Sequence, residues 1–338
     1  MGRDVPGDLG DSLLNMWILA WGAEHLPRLL TFQMSWSDYW NANIFAPEPH
    51  ALALSEHLTG QVLQILPVYW LTGNIILCYN LLFLSTFALS AFGTFLLVRD
   101  LTGSPRAAFH AGLVYGFLPY RIASVPHLQV MSSQWMPFAL WGLNRFITRE
   151  PGAGSGKPAL RALALGTGAL VLQAWSCTYY LLYFSMFVPL FTVHRMWTVG
   201  TLRTARTLRT SLLWLMVAAI GTVLLTLPFL IPYRQAALLF LIERPFGEVV
   251  AFSANLWSYL TASENVRLWG SVLRFSPRPE GETFLGLLPW LLATAAVLPL
   301  VLAAPSPRED PPRLRWLKIL LLVLAVAQCV ALASVVIV

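Results

Sequence analysis

Residues 210–232 read TSLLWLMVAAIGTVLLTLPFLIP, twenty-three positions without one ionisable side chain. About twenty apolar residues carry a helix across a hydrocarbon core roughly 30 Å thick, so this stretch reads as a membrane-crossing helix. Seven more stretches meet or approach that length: 74–98, 107–123, 128–147, 160–176, 178–197, 284–304 and 315–338. The ten-residue alternating segments of a membrane β-barrel are not visible. The fold class expected is therefore all-α, a polytopic transmembrane helical bundle of about eight spans.

The composition excludes the alternative of a water-soluble enzyme. Fifty-seven percent of the 338 residues are hydrophobic and 11% are charged, where a soluble domain is about a quarter charged. The net charge of +6 would suggest nucleic acid in a soluble chain. Here fourteen Lys and Arg, against only Asp100, Glu150, Glu309 and Asp310, fall on the links and helix ends of one side. That asymmetry is the positive-inside pattern, and it makes this side cytoplasmic without any nucleic-acid partner. Cys78, Cys177 and Cys329 all lie in apolar runs and have no metal-site spacing.

This topology divides the chain into an extracytoplasmic loop at 1–73, transmembrane helices over 74–232, a second extracytoplasmic loop at 233–283 and transmembrane helices over 284–338. The stretch before Asp11 has neither the basic nor the apolar region of a signal peptide. An exported segment of this size normally follows a span. The expectation is thus a missing helix before Met1 and a cut end at Val338.

Within the first loop, residues 12–30 read as a helix on the membrane surface, capped by Asp11 or Ser12 and carrying Trp17 and Trp21. A second helix is expected over about 51–71, broken at Pro67, with the turn-rich connector Asn41–His50 between the two. PGAGSGKP, residues 151–158, is a linker. A phosphate-binding loop would need Gly and Ser or Thr where Pro151 and Pro158 stand.

Three groups of residues could carry chemistry. Asp8 and Asp11 stand three positions apart before the surface helix, either as a solvated residue and a helix cap or as a general base or metal-binding carboxylate. Glu48, His50, Glu56 and His57, the last two expected on the second helix, could hold a divalent cation or form a hydrogen-bond network that fixes the connector. No HExxH spacing favours the cation. The third group is Pro119-Tyr120-Arg121 with Pro126-His127-Leu128-Gln129. Arg121 falls at the outer end of a span, where its forked donors suit a phosphate, or where it snorkels to lipid headgroups. In the second outer loop, Arg234, Glu243, Arg244 and their neighbours nearly balance in charge, and with Trp257, Tyr259 and Trp269 could line a site.

The order of these elements carries a resemblance. An acidic GDLGD loop, the helix LLNMWILAW, the connector NANIFAPEPHALALSEH and paired helices with PYR and HLQ are followed by SANLWSYLTAS, LWG and ETFLGLLPWLLA. In this the chain resembles bacterial polytopic glycosyltransferases of the GT-C type, over most of its length and most specifically in its first 140 residues. The resemblance implies a multi-pass protein of the bacterial inner membrane that transfers a sugar from a polyprenyl-phosphate carrier on the extracytoplasmic face. It places the catalytic base on Asp8 or Asp11, with Asp8 preferred because Asp11 has the capping alternative. Arg121, His127 and Gln129, with Glu48, His50, Glu56 and His57, then bind substrate. The partners implied are the lipid-linked donor, membrane lipids and a saccharide, lipid or protein acceptor. Two other readings stand beside it: a transporter or flippase of lipid-linked saccharides, and a catalytically silent subunit or fragment.

Overall fold

The computed structural model describes residues 2–7, 9–149, 156–201, 205–278 and 280–302. The expected span at 315–338 lies outside the described residues. Thirteen α-helices follow one another among those described: α1 (Leu9–Leu30), α2 (Trp36–Trp40), α3 (Thr59–Thr72), α4 (Ile75–Thr102), α5 (Pro105–Gly116), α6 (Tyr120–Ala123), α7 (Leu128–Met131), α8 (Trp135–Thr148), α9 (Gly156–Ser176), α10 (Thr178–Val199), α11 (Ala205–Leu239), α12 (Phe246–Phe252) and α13 (Leu287–Leu302). Two 3₁₀ turns, Ala51–Leu54 and Leu256–Leu260, complete them. The protein is all-α; among the described residues the sole extended pairing is an isolated bridge between Thr261 and Arg274.

Two of these helices are long and apolar enough to cross a membrane: α4, and α11 from Thr207 to Leu239. Their 28 and 33 residues extend about 42 and 50 Å at 1.5 Å per residue. Only 22% and 11% of their apolar windows are buried, so most of that surface faces away from the chain's own core. Leu212, Met216, Val223 and Leu224 on α11 are all about half or more exposed. Helices α9 and α10 have 21 and 22 residues, a spanning length. Polar positions such as Gln173, Tyr179, Tyr183 and His194 hold down their hydropathy.

The helices expected over 107–123 and 128–147 are shorter than anticipated. Helix α5 has 12 residues and ends with Phe117 as its cap, two positions before Pro119. A proline disfavours helical geometry in the residue before it and cannot donate to the preceding turn. Helix α8 has 14 residues and starts only after Ser132-Ser133-Gln134. At about 18 and 21 Å, neither matches the hydrocarbon thickness by itself. Pro67, expected to break the second helix, instead lies inside an unbroken α3.

The chain forms two compact units, Met1–Phe117 with Ser124–Arg244, and Leu118–Ala123 with Pro245–Val338. In the first unit one apolar core joins α1 through Ile18, Leu19 and Ala23 to Tyr39 and Trp40 of α2, Val62 and Ile65 of α3, and Tyr79 and Leu82 of α4. Phe229, Tyr233 and Ala236 of α11 pack on the same cluster. Helices α4 and α5 form a tight hairpin. The Ser104 hydroxyl accepts from the Ala107 N–H at 3.2 Å with Pro105 opening α5, a favoured start. A Cβ on Gly112 would stand 2.6 Å from the Ala91 carbonyl oxygen. The small residue is what lets the two backbones touch.

Helices α8 and α9 approach in the same manner. A Cβ on Gly142 would come within 2.5 Å of the Gly166 Cα. Glutamines close the space between α3, α9 and the start of α8. Gln61 donates to the Ser176 carbonyl at 2.9 Å, Gln173 to the Ser132 carbonyl at 2.9 Å, and Gln134 to the Gln64 side-chain oxygen at 3.4 Å. At the last turn of α4, Asp100 receives the Arg145 Nε at 2.5 Å and the Trp141 indole N–H at 2.8 Å, which ties α4 to α8.

In the second unit a capping box at Asn255 and Ser258 opens the 3₁₀ turn. Arg274 stands 3.7 Å from both Glu264 and Glu282. The aromatics of this loop pack on local partners: Trp257 on Phe275, Tyr259 on Trp290 and Trp269 on Phe284.

Candidate functional site

The first six described residues are held against the start of α4. Asn80 donates to the Asp4 carbonyl at 2.7 Å, and the Ser12 hydroxyl to the Pro6 carbonyl at 3.1 Å. The Tyr79 hydroxyl donates to Ser12 Oγ at 3.3 Å. Asn15 reaches from α1 to the Pro126 carbonyl at 3.3 Å. These bonds bring the start of α1 beside the loop ahead of α7.

Across that junction Asp11 Oδ2 and His127 Nε2 stand 3.1 Å apart, with side chains 47% and 30% exposed. Asp11 lies in the first turn of α1, where the helix dipole favours a carboxylate. Helix α1 opens at Leu9 rather than after Asp11 or Ser12, so neither residue is its cap. The ground for preferring Asp8 to Asp11 as the base is thereby removed; Asp8 itself lies outside the described residues. The pair is half open to solvent and one partner is an imidazole. A carboxylate and an imidazole so placed can act on the proton of a bound hydroxyl, the carboxylate orienting the ring.

The other candidate residues are placed as follows. Gln129 lies half-buried on α7. Arg121 lies on α6 in the second unit, 4% exposed, its backbone N–H donating to the Leu118 carbonyl at 2.9 Å. Glu48 is exposed in the connector. The His50 N–H donates to Asn41 Oδ1 at 2.9 Å.

Glu56 and His57 precede α3 rather than standing on it. The half-buried Glu56 carboxylate accepts the Thr178 N–H at 3.0 and 3.1 Å and the Thr178 hydroxyl at 2.7 Å, which satisfies the first turn of α10. Loss of solvent raises its carboxyl above the ordinary range, and the bonds from Thr178 pull the other way. His57 is 2% exposed. Its Nδ1 lies 2.6 Å from the Thr59 hydroxyl and accepts the Thr59 N–H at 3.2 Å. The ring proton therefore sits on Nε2. Burial lowers the His57 pKa to about 3. The rings of Trp40, Phe229 and Tyr233 enclose it, with centroids 4.9 to 6.1 Å away. The His57 backbone N–H donates to the Tyr233 hydroxyl at 2.9 Å, which in turn donates to the Ser55 carbonyl at 3.0 Å.

Among the described residues no three His, Cys, Asp or Glu side chains converge as metal ligands. Thr178, Tyr233 and the buried glutamines escaped the sequence reading. No local signal marks them, since each acts through a contact distant in sequence. No family model, curated protein or solved structure matches the chain.

Proposed function

We propose that the protein is an integral-membrane glycosyltransferase that moves a sugar from a polyprenyl-phosphate carrier to an acceptor hydroxyl on the extracytoplasmic face, with Asp11 and His127 as the proton-accepting pair. In this reading the chain is a multi-pass inner-membrane bundle whose α4 and α11 cross fully, while α5 and α8 reach only part of the way.

One observation carries the reading: the 3.1 Å Asp11–His127 pair, by its place along α4. The pair is anchored through Ser12 to Tyr79 in the first turns of that helix, whereas Asp100 and Arg145 meet at its last turn. From Tyr79 to Asp100 is about 31 Å of helix axis, the thickness of a hydrocarbon core. The basic end fits the cytoplasmic surface, and the acid–imidazole pair then stands at the opposite headgroup level. A carrier with its tail in the bilayer presents its phosphate and sugar there.

The step balances without another reactant. The acceptor hydroxyl gives its proton to the Asp11–His127 pair while its oxygen bonds to the anomeric carbon. The bond from that carbon to the carrier phosphate breaks, and polyprenyl phosphate leaves as an anion. A cation at headgroup depth stabilises such a leaving group.

Membranes bearing the wild-type chain should release polyprenyl phosphate from a panel of lipid-linked sugars only when acceptor is supplied, and Asp11→Asn should abolish the release while inserting normally. Movement of the intact donor between leaflets without release would instead favour the carrier-transport reading.

A further inference from the structure

The loop ahead of α13 in the second unit is built inside out. Residues 249–263 carry no charged side chain, although they fall in a loop expected on the water side of the membrane. Around the 3₁₀ turn Leu256–Leu260 the small polar groups are inside: Ser258, Thr261 and Thr283 are each 0% exposed. The large apolar side chains are outside, Leu256 at 85%, Trp257 at 56%, Phe275 at 57% and Leu260 at 39%. A loop that faces water places these classes the other way round.

Hydrogen bonds hold this arrangement in place. The Thr283 N–H donates to the Ser258 carbonyl and the Phe284 N–H to the Thr261 carbonyl, both at 3.2 Å. The Asn255 amide donates to Ser276 Oγ at 3.3 Å, and the Ser276 N–H to the Thr261 hydroxyl at 3.0 Å. These bonds keep residues 274–276 beside the turn, where the Phe275 ring stacks on Trp257 with centroids 5.9 Å apart.

A further contact says what the apolar face meets. The Tyr259 ring stands edge-on to Trp290 at 6.5 Å, in the first turn of α13, whose Leu287, Leu288, Leu291 and Leu292 are exposed as well. The turn thus lies beside the end of an apolar helix, the level at which Trp is enriched in membrane proteins. A saccharide surface would need hydrogen-bonding groups around the Trp257 ring. Its neighbours are Leu256 and Phe275, and the Asn255 side chain is engaged by its own capping box.

We propose that Leu256, Trp257, Leu260 and Phe275 dip into the lipid interface, at the boundary between headgroups and acyl chains beside the start of α13. The inference rests on the membrane placement in the proposed function and not on sugar transfer.

The test uses the full chain lacking its native cysteines, with a single fluorophore-labelled cysteine, in phosphatidylcholine vesicles whose acyl chains carry bromine at a shallow or a deep position. Leu256→Cys should lose fluorescence to shallow bromine more than to deep bromine, and hardly at all to aqueous iodide. Leu292→Cys, five residues and about 7.5 Å further along α13, should be quenched at the greater depth. Arg267→Cys, exposed on the same loop, should answer to iodide alone. Quenching of Leu292→Cys by bromine while Leu256→Cys answers only to iodide would overturn the inference and leave the membrane reading intact. Failure of bromine to reach either position would overturn both. A Leu256 probe shielded from bromine and iodide alike would assign the face to a protein partner, and one whose emission shifts on adding a soluble oligosaccharide would assign it to sugar; either overturns the lipid.

Discussion

Glu56 and Thr178, 122 residues apart in the chain, are joined by the carboxylate of one accepting both the backbone N–H and the hydroxyl of the other. The bond fastens the segment ahead of α3 to the start of α10. Glu56→Ala leaves the Thr178 donors unsatisfied and should cost about 1–3 kcal/mol. Glu56→Gln should cost less, since one amide oxygen still accepts. Resistance to unfolding in a mixed-micelle titration checks the order.

His57 makes stability depend on pH. Its folded pKa of about 3 lies below the ordinary 6.5, so the folded state binds its proton more weakly than the unfolded chain. The stabilisation is complete above the unfolded value and is lost as pH falls from 6.5 toward 3. By pH 5 the loss should reach about 2 kcal/mol. His57→Gln removes the titrating group, so its melting temperature, though lower at neutral pH, should fall less between pH 7.5 and pH 5 than wild type's.

The α8–α9 crossing predicts opposite signs for two glycines. Gly142→Ala places a methyl 2.5 Å from the Gly166 Cα and must separate the helices, a loss of about 1–3 kcal/mol. A Cβ on Gly168, on the same α9, meets nothing within 4 Å. Gly168→Ala should therefore be neutral or stabilising by up to about 1 kcal/mol. Thermal melts of the two variants decide it.

Single cysteines in a background lacking the native ones test the membrane placement. Leu224→Cys, 65% exposed on α11, should resist a water-soluble maleimide in intact membranes and react once detergent is added. Phe32→Cys, 95% exposed after α1, should react from the extracytoplasmic side. Labelling at position 32 from the cytoplasm alone would reverse the orientation.

Particular residues decide how far the fold was legible. The runs of α4 and α11 read correctly because an uninterrupted apolar stretch has few structures available to it. The 107–123 and 128–147 stretches are less apolar, carrying Arg121, Gln129, Asn144 and Arg145, and Pro119 and the Ser132-Ser133-Gln134 break end the helices that length alone carries through. Asp11 and His127 were each picked out as polar residues beside apolar runs, but their meeting was not written in either neighbourhood. The roles of Glu56 and His57 depended on Thr178 and Tyr233, residues that nothing local distinguishes.

The account turns on whether Asp11 and His127 act together on a lipid-linked donor. The most direct measurement is a double-mutant cycle on acceptor-dependent release of polyprenyl phosphate, comparing Asp11→Asn, His127→Gln and the two combined. Residues that share one proton act as a unit, so each single variant should lower kcat by two to four orders of magnitude and the pair by hardly more. Release at the wild-type rate in Asp11→Asn, or additive losses in the pair, would contradict it.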